Sequence, residues 1–182
     1  MTTSEDAGHV WISWDDYHRS IEDLAKQVFD SGWTFDHVLC LARGGLRPGD
    51  VFSRLFNVPL SILTVSSYRE EGGTQLGELC IADRITSTID TLSGRLLLID
   101  DLVDSGITLH RVKEWLLTRY PEVNELRSAV IWYKENSSVR PDYFVHYVAG
   151  NPWIHQPFEL YDQMTPDTLQ QCYRSRKFYE GK

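Results

Sequence analysis

Residues 96–108 read Leu-Leu-Leu-Ile-Asp-Asp-Leu-Val-Asp-Ser-Gly-Ile-Thr, and they set the architecture expected for the whole chain. The four leading aliphatic residues follow one another without a polar break, which is typical of a strand buried on both faces in a parallel sheet. The run ends at two carboxylates, Asp100 and Asp101, and a helix is predicted to begin near the Ser-Gly-x-Thr sequence. Because open α/β sheets bind ligands outside the carboxyl ends of their strands, the segment predicts a ligand-binding loop.

The composition is that of an ordinary globular protein. Of the 182 residues, 42% are hydrophobic and 24% are charged, and the length suits one domain with a sizeable core rather than two. We therefore predict a single domain over residues 9–182. We divide it into a core of about residues 9–134, a small hood of about residues 135–162 and a C-terminal helix of about residues 165–179.

Charge and cysteine content exclude several classes of protein. The net charge is −8, whereas nucleic-acid-binding proteins normally present a basic face, so we expect no nucleic-acid partner. No apolar run approaches the roughly 20 residues that span a bilayer, and the N-terminal residues do not read as a signal or transit peptide. The three cysteines are far apart and form no CxxC pair. These features predict a cytoplasmic protein without a membrane span.

Hydrophobic periodicity predicts alternating strands and helices along the chain. Between the third and fourth predicted strands, residues 66–78 have little to bury and contain Gly72-Gly73, so we predict a mobile surface loop there. The order of elements implies an α/β fold with a right-handed parallel central sheet flanked by helices. Strands are predicted at residues 10–12, 38–41, 60–65, 79–85, 96–99, 126–133 and 143–148, and helices at about residues 13–31, 48–56, 109–120 and 166–178.

The chemistry of residues 100–108 indicates a sugar phosphate as ligand. Main-chain N–H groups at a helix N-terminus attract an anion, and the hydroxyls of Ser105 and Thr108 can donate to the same anion. Asp100 and Asp101 would repel a phosphate, but they suit sugar hydroxyls or a Mg²⁺ ion. A ribose 5-phosphate satisfies both demands. The alternative is that the two aspartates only cap a turn and that Ser105 only caps the helix.

This pattern of four aliphatic residues, Asp-Asp, three residues and Ser-Gly-x-Thr resembles the phosphoribosyl-diphosphate (PRPP) signature of the type I phosphoribosyltransferases. The resemblance extends to the bacterial xanthine-guanine branch over about residues 10–160. It implies the type I phosphoribosyltransferase fold, a central parallel sheet flanked by helices with a small hood subdomain, and it implies Mg²⁺ as cofactor and a homo-oligomer, a dimer or tetramer. The segments that carry it are Trp14-Asp15, Ala42-Arg43-Gly44-Gly45-Leu46, Ser66-Ser67-Tyr68, Lys134 and Trp153-Ile154-His155-Gln156-Pro157-Phe158.

The resemblance also implies which residues meet PRPP. Arg43 and the amides of the two following glycines suit the leaving pyrophosphate, because glycine allows close main-chain approach and arginine binds phosphate in a bidentate manner; a plain turn is the alternative. Asp100 and Asp101 would hold Mg²⁺. The predicted catalytic residues are Asp104, as general acid/base at the purine N7, and Arg43. The predicted PRPP contacts are Arg43, Gly44, Gly45, Asp100, Asp101, Val103, Asp104, Ser105, Gly106, Ile107 and Thr108.

Four residues are predicted to bind the purine: Asp104, Lys134, Trp153 and Ile154. Lys134 would donate to the 6-oxo oxygen, Trp153 would stack on the ring, and the Ile154 main chain would contact the 2-position edge. The alternatives are a solvated Lys134 and a Trp153 that only packs. His155 stands where the bacterial enzymes have an acidic residue, and it either alters the base preference or points to solvent.

The sequence therefore predicts an Mg²⁺-dependent purine salvage phosphoribosyltransferase. It would convert PRPP and guanine, xanthine or hypoxanthine into a nucleoside monophosphate and pyrophosphate, all of them small-molecule partners. One departure lies in the predicted mobile loop, where Gln75-Leu76-Gly77 replaces a basic residue of the family and leaves Arg69 or Arg84 as substitutes. Two alternatives stay open: a non-catalytic regulatory protein of the same fold that senses PRPP or nucleotides, and a phosphoribosyltransferase for another base, such as a pyrimidine.

Overall fold

The computed structural model of the chain describes residues 8–69, 76–162 and 164–176. Among these residues, no helix is long and apolar enough to cross a membrane. The strands are β1 (His9–Trp11), β2 (His37–Ala42), β3 (Leu60–Arg69), β4 (Leu76–Ile81), β5 (Gly94–Val103), β6 (Val123–Lys134), β7 (Tyr143–Val148) and β8 (Trp153–His155). The helices are α1 (Trp14–Asp30), α2 (Leu46–Phe56), α3 (Ile107–Arg119) and α4 (Pro166–Arg176), with a short 3-10 helix at Glu159–Asp162.

The chain divides into two compact units. The larger unit is Arg19–Asn151, and the smaller one combines the described residues of Met1–His18 and Pro152–Lys182. The single predicted domain over residues 9–182 stays a prediction. In the smaller unit, β1 and β8 form a two-stranded parallel ladder in which Trp11 lies opposite His155.

A six-stranded sheet forms the larger unit, in the order β4-β3-β2-β5-β6-β7. Every neighbouring pair is parallel except β3 and β4, which are antiparallel. Strand β5 therefore lies between β2 and β6, and its four leucine and isoleucine side chains at 96–99 are at most 1% exposed. This confirms the predicted central parallel sheet and the strand buried on both faces.

Helices cover both faces of this sheet, because the strand residues that point to each face are apolar. On one face, Leu109, Val112 and Leu116 of α3 join a buried cluster with residues of β2 and β5. On the other face, Gly49 of α2 lies against Cys40, where an added Cβ would overlap the cysteine side chain. Burial raises the pKa of Cys40 to about 12, so its thiol stays protonated and packs as a core residue.

Strand β5 is longer than its aliphatic run. We expected it to end at Asp100, but the ladder with β6 continues, pairing Asp100 with Val130 and Val103 with Tyr133. The reason is that β6 itself extends to Lys134 and supplies main-chain partners, which pair whatever side chain is present. The two carboxylates consequently lie within a strand, where main-chain hydrogen bonds fix their positions.

The prediction of a loop over residues 66–78 was wrong at both ends of that range. Strand β3 continues to Arg69 and β4 begins at Leu76, with Ser66 opposite Cys80 and Arg69 opposite Leu76. Polar residues extend this hairpin because an antiparallel ladder is held by main-chain bonds and one of its faces can meet water. Gly72, Gly73 and Gln75, on which the mobile-loop prediction depended, lie outside the described residues.

The structure contains a helix at the predicted C-terminal position, whereas it does not test the division into core and hood. The range 135–162 contains β7, which pairs in parallel with β6 as part of the main sheet, while the division into core and hood stays a prediction. Helix α4, Pro166–Arg176, lies where the C-terminal helix was expected, and residues 177–179 lie outside the described part of the chain.

Asp142 ties the start of β7 to its neighbours. Its Oδ2 accepts from the main-chain N–H of Ser128 at 2.7 Å, from the Ser128 hydroxyl at 2.8 Å and from Lys113 of α3 at 3.0 Å. Although burial opposes ionisation, these donors lower the pKa of Asp142 below its ordinary value of 3.8.

We predict that Asp142→Asn lowers the free energy of unfolding at neutral pH by about 1–2 kcal/mol, the value of a few partly exposed charge-assisted bonds. A carboxyl whose pKa is depressed by folding stabilises the protein above its unfolded pKa and loses that effect as the pH falls through the folded pKa. The deficit of the variant should therefore shrink below about pH 4. Urea unfolding across pH tests this, with the exposed Asp83→Asn as control; a deficit independent of pH would contradict it.

Candidate active site

Two adjacent carboxylates, Asp100 and Asp101, lie near the carboxyl end of β5. The main-chain N–H of Asp101 donates to Asp100 Oδ1 at 2.9 Å. Burial, and then the neighbouring charge of Asp101, raise the pKa of Asp100 well above its usual range, although main-chain N–H groups of Asp101 and Gly45 oppose the shift. Two adjacent carboxylates hold both charges poorly in such a place, so a cation or hydroxyl donors would relieve them.

The Arg43-Gly44-Gly45 segment lies directly against these carboxylates. A Cβ on Gly44 would overlap the Asp101 carboxylate, and a Cβ on Gly45 would overlap the carbonyl oxygens of Ile99 and Leu41. Only glycine therefore allows the loop after β2 to pack this closely onto β5. The Ala42–Arg43 peptide bond is cis, and Arg43 is exposed.

The loop after β5 opens into a cavity of about 180 Å³, which is lined by residues 100–106, 108 and 109. Helix α3 begins at the end of this loop, and its N-cap residue Gly106 has φ 82° and provides no side-chain cap. Ser105 Oγ accepts from the Ile107 N–H only at 3.4 Å. The first N–H groups of a helix lack intrahelical partners, so an anion in this cavity would satisfy them.

A second loop, residues 135–142, holds the loop between β5 and α3, residues 104–106, which we call the anion loop. Both the main-chain N–H and the hydroxyl of Ser138 donate to the Ser105 carbonyl at 3.0 Å. A Cβ on Gly106 would overlap Ser137 Oγ and approach the Val139 nitrogen. The sequence analysis predicted no contact for residues 136–138, because hydrogen bonds between two loops distant along the chain leave no local sequence pattern.

Asp104 and Lys134 form an ion pair beside the cavity. Lys134, at the end of β6, is 4% exposed, and its Nζ donates to Asp104 Oδ2 at 3.1 Å and to Asn151 Oδ1 at 3.0 Å. Asn136 Nδ2 lies 3.4 Å from Asp104 Oδ1. Lys134 is therefore not a solvated surface charge, and Asn136 and Asn151 are two site residues that the sequence analysis missed.

The other predicted purine residues belong to the smaller unit, on β8. Trp153 is 48% exposed and Ile154 is 4% exposed, and the Trp153 indole N–H donates to Glu159 at 3.4 Å. His155 does not point to solvent: its ring stacks on Trp11 at 3.7 Å between centroids and its Nε2 lies 2.8 Å from His9 Nδ1. The structure thus brings Arg43–Gly45, Asp100–Thr108 and Lys134 together in one unit and places Trp153 and Ile154 in the other.

The donor set fits Mg²⁺ held jointly with a ligand. Within residues 8–69, 76–162 and 164–176, no group of three or more His, Cys, Asp or Glu side chains is arranged to hold a metal. Mg²⁺, however, is usually bound by one or two carboxylates, with waters and substrate oxygens completing the shell. Asp100 and Asp101, whose mutual repulsion a cation would offset, are such a pair.

Comparison with known proteins decides the family. The model of the phosphoribosyl transferase domain matches residues 13–163. The chain belongs to the phosphoribosyltransferase family. This membership confirms the resemblance found in residues 96–108. The cavity lined by Asp100 and Asp101 is therefore the candidate active site of a phosphoribosyltransferase.

Named relatives of this phosphoribosyltransferase are similar along most of their length. The xanthine-guanine phosphoribosyltransferase of Chromohalobacter salexigens is 30% identical over 152 residues, which cover 82% of this chain and 83% of that protein. That of Idiomarina loihiensis is 28% identical over 152 residues, which cover 83% and 87%. Among solved structures, the purine phosphoribosyltransferase of Pyrococcus horikoshii has a TM-score of 0.67 and 28% identity, covering 83% of this chain and 93% of that one.

We predict that Gly106→Ala destabilises the protein more than Gly32→Ala does, by about 1–3 kcal/mol in the free energy of unfolding. Both glycines have positive φ, at 82° and 70°, so both variants carry the cost of a left-handed alanine. Only the Gly106 variant adds a clash with residues 137–139, whereas nothing lies within 4 Å of a Cβ on Gly32. Denaturant unfolding measures the difference, and equal losses in the two variants would show that the loops are not packed as described.

Proposed function

We propose that this protein is a purine salvage phosphoribosyltransferase, which transfers the 5-phosphoribosyl group of PRPP to guanine, xanthine or hypoxanthine. The products are the nucleoside monophosphate and pyrophosphate. The observation that carries the proposal is the Asp104–Lys134 pair beside an anion loop and a carboxylate pair, in a member of this family. The names of the relatives support a purine as the base.

PRPP fits the larger unit through three kinds of contact. Its 5-phosphate would accept from the main-chain N–H groups and hydroxyls at the start of α3, where the helix dipole adds positive charge. Its ribose hydroxyls would donate to Asp100 and Asp101. Together with PRPP, these two carboxylates would hold Mg²⁺, which would offset the charge that gathers on the leaving diphosphate.

The pyrophosphate is assigned to the Arg43 loop. Gly44 leaves the main chain free of side-chain bulk beside Asp101, so its N–H can approach phosphate oxygens, whereas the Gly45 N–H already donates to the Leu41 carbonyl at 2.8 Å. The guanidinium of Arg43 can bind two of these oxygens in a planar geometry. Because the transition state should resemble an oxocarbenium ion with a departing anion, fixed donors at this place stabilise it.

For the purine we keep the four residues that the family resemblance implies: Asp104, Lys134, Trp153 and Ile154. Lys134 donates to the 6-oxo oxygen, Trp153 stacks on the ring and the Ile154 main chain contacts the 2-position edge. In the reaction the C1′–oxygen bond to pyrophosphate breaks and a bond from C1′ to N9 of the purine forms. The purine N7 then loses its proton, and Asp104 is the group that accepts it.

Cellular context and assembly follow the family resemblance. We propose a cytoplasmic, Mg²⁺-dependent homo-oligomer, a dimer or tetramer, that acts on small molecules. The sensor alternative is less well supported, since regulatory proteins of this kind usually carry a basic DNA-binding domain, and the net charge here is −8. A pyrimidine-specific enzyme is disfavoured by the buried Lys134, which suits a 6-oxopurine.

The first test is turnover with a panel of bases. We expect pyrophosphate release from PRPP and Mg²⁺ with at least one of guanine, xanthine and hypoxanthine, and none with adenine or uracil. Chelation of Mg²⁺ by EDTA should abolish release, and excess Mg²⁺ should restore it. Tight PRPP binding without turnover on any base would instead favour the sensor.

The second test concerns Asp104. We predict that Asp104→Asn lowers kcat by about 10²–10⁴-fold, the usual contribution of a general acid/base, because an amide cannot accept the N7 proton. Asp90→Asn, at an exposed aspartate of the larger unit, is the matched control and should keep normal kcat. Unchanged turnover in the Asp104 variant would remove the proposed role.

The third test concerns Trp153. Loss of ring stacking in Trp153→Ala should raise the KM for the purine by about 2- to 13-fold, which corresponds to the 0.5–1.5 kcal/mol typical of an aromatic pair, while the KM for PRPP changes little. Phe29→Ala removes another exposed aromatic ring, 72% exposed, and serves as control. A larger effect on PRPP than on the purine would mean that Trp153 does not meet the base.

A further inference from the structure

The ammonium of Lys134 is held by two groups of different kinds. One is the carboxylate of Asp104 and the other is the neutral amide oxygen of Asn151, at 3.1 and 3.0 Å. An ammonium has three N–H donors, so these two bonds leave one donor for a ligand. Because Lys134 is 4% exposed, its head group has little room to choose another orientation.

Asn151 is itself placed by a turn at the end of β7. Gly150 has φ 68°, a conformation that glycine adopts at little cost, and its N–H donates to Glu135 Oε2 at 2.8 Å. Glu135 in turn donates its N–H to the Val148 carbonyl at 2.9 Å. The residue that follows Lys134 therefore fixes the turn that brings Asn151 onto the Lys134 ammonium.

We propose that Asn151 is a positioning residue for the purine: it draws the Lys134 ammonium to one side of Asp104 and so keeps one N–H for the 6-oxo oxygen. This inference rests on the proposed function. Lys134 contacts only Asp104 Oδ2, while Oδ1 has the long 3.4 Å approach of Asn136. The arrangement therefore reserves Oδ1 for the purine N7 and the third N–H of Lys134 for the 6-oxo oxygen, which lie on the same edge of a 6-oxopurine.

Removing the amide oxygen has a defined consequence. Without Asn151 the ammonium would be attracted by Asp104 alone, and it would satisfy its donors on both carboxylate oxygens, as an unpaired buried charge must. Both groups that read the purine would then be occupied by each other. The proposed ribose contacts of Asp100 and Asp101 and the phosphate contacts at the start of α3 do not involve Lys134 and would be unaffected.

The experiment compares two ligands that differ by the base. GMP and ribose 5-phosphate are titrated calorimetrically into the intact wild-type protein, Asn151→Ala and a matched control, Asn124→Ala, at an exposed asparagine near the opposite end of β6. For Asn151→Ala we expect GMP affinity to fall about tenfold, the size of one charge-assisted hydrogen bond, with ribose 5-phosphate affinity unchanged. The control should match the wild type with both ligands.

A rescue variant separates positioning from folding. Asn151→Asp keeps an oxygen acceptor at the same place, so its GMP affinity should return to within about threefold of the wild type. Equal losses for GMP and ribose 5-phosphate, no loss of GMP affinity in Asn151→Ala, or no rescue by Asp would each overturn the positioning role. Failure of the proposed function is distinct, because the wild type itself would then turn over none of the 6-oxopurines.

Discussion

Two carboxylates side by side in the central strand constrain everything around them. Asp100 and Asp101 are held within β5 by its ladder with β6, and burial together with mutual repulsion raises the pKa of Asp100. The loop after β2 approaches them only because residues 44 and 45 are glycines. A site with this much unfavourable negative charge is suited to a ligand that supplies hydroxyl donors and a cation.

The overall acidity of the chain also requires local groups or a cation for binding a phosphorylated ligand. With a net charge of −8, the protein cannot attract a polyphosphate by its general field. Under the proposed function, binding would come from local groups: the first turn of α3, the exposed Arg43, and a divalent cation held between the ligand and the carboxylates. The second loop, which donates two bonds to the Ser105 carbonyl, keeps the anion loop rigid enough to act as one of these groups.

Sequence patterns predicted what depends on local chemistry. Apolar runs located the buried strands, and the Asp-Asp and Ser-Gly-x-Thr spacing predicted a ligand-binding loop in the segment that lines the cavity. They failed where a partner strand determines the length of a strand. Strand β5 continues through its two aspartates because β6 is long. Strands β3 and β4 extend into polar residues because a main-chain ladder needs no apolar side chain. The contacts of Asn136 and Asn151 were missed for a related reason, since each lies against a group distant along the chain. Of the two alternatives for His155, the solvent-facing one was wrong, because its partners His9 and Trp11 lie on another strand.

We propose that the start of α3 binds a 5-phosphate while Asp100 and Asp101 bind the attached ribose. A crystal structure of the protein with bound GMP measures this directly. We expect the phosphate oxygens to lie within hydrogen-bond distance of the main-chain N–H groups of residues 105–108, with the ribose hydroxyls on the two carboxylates. A phosphate bound elsewhere, or a ribose remote from both aspartates, would contradict it.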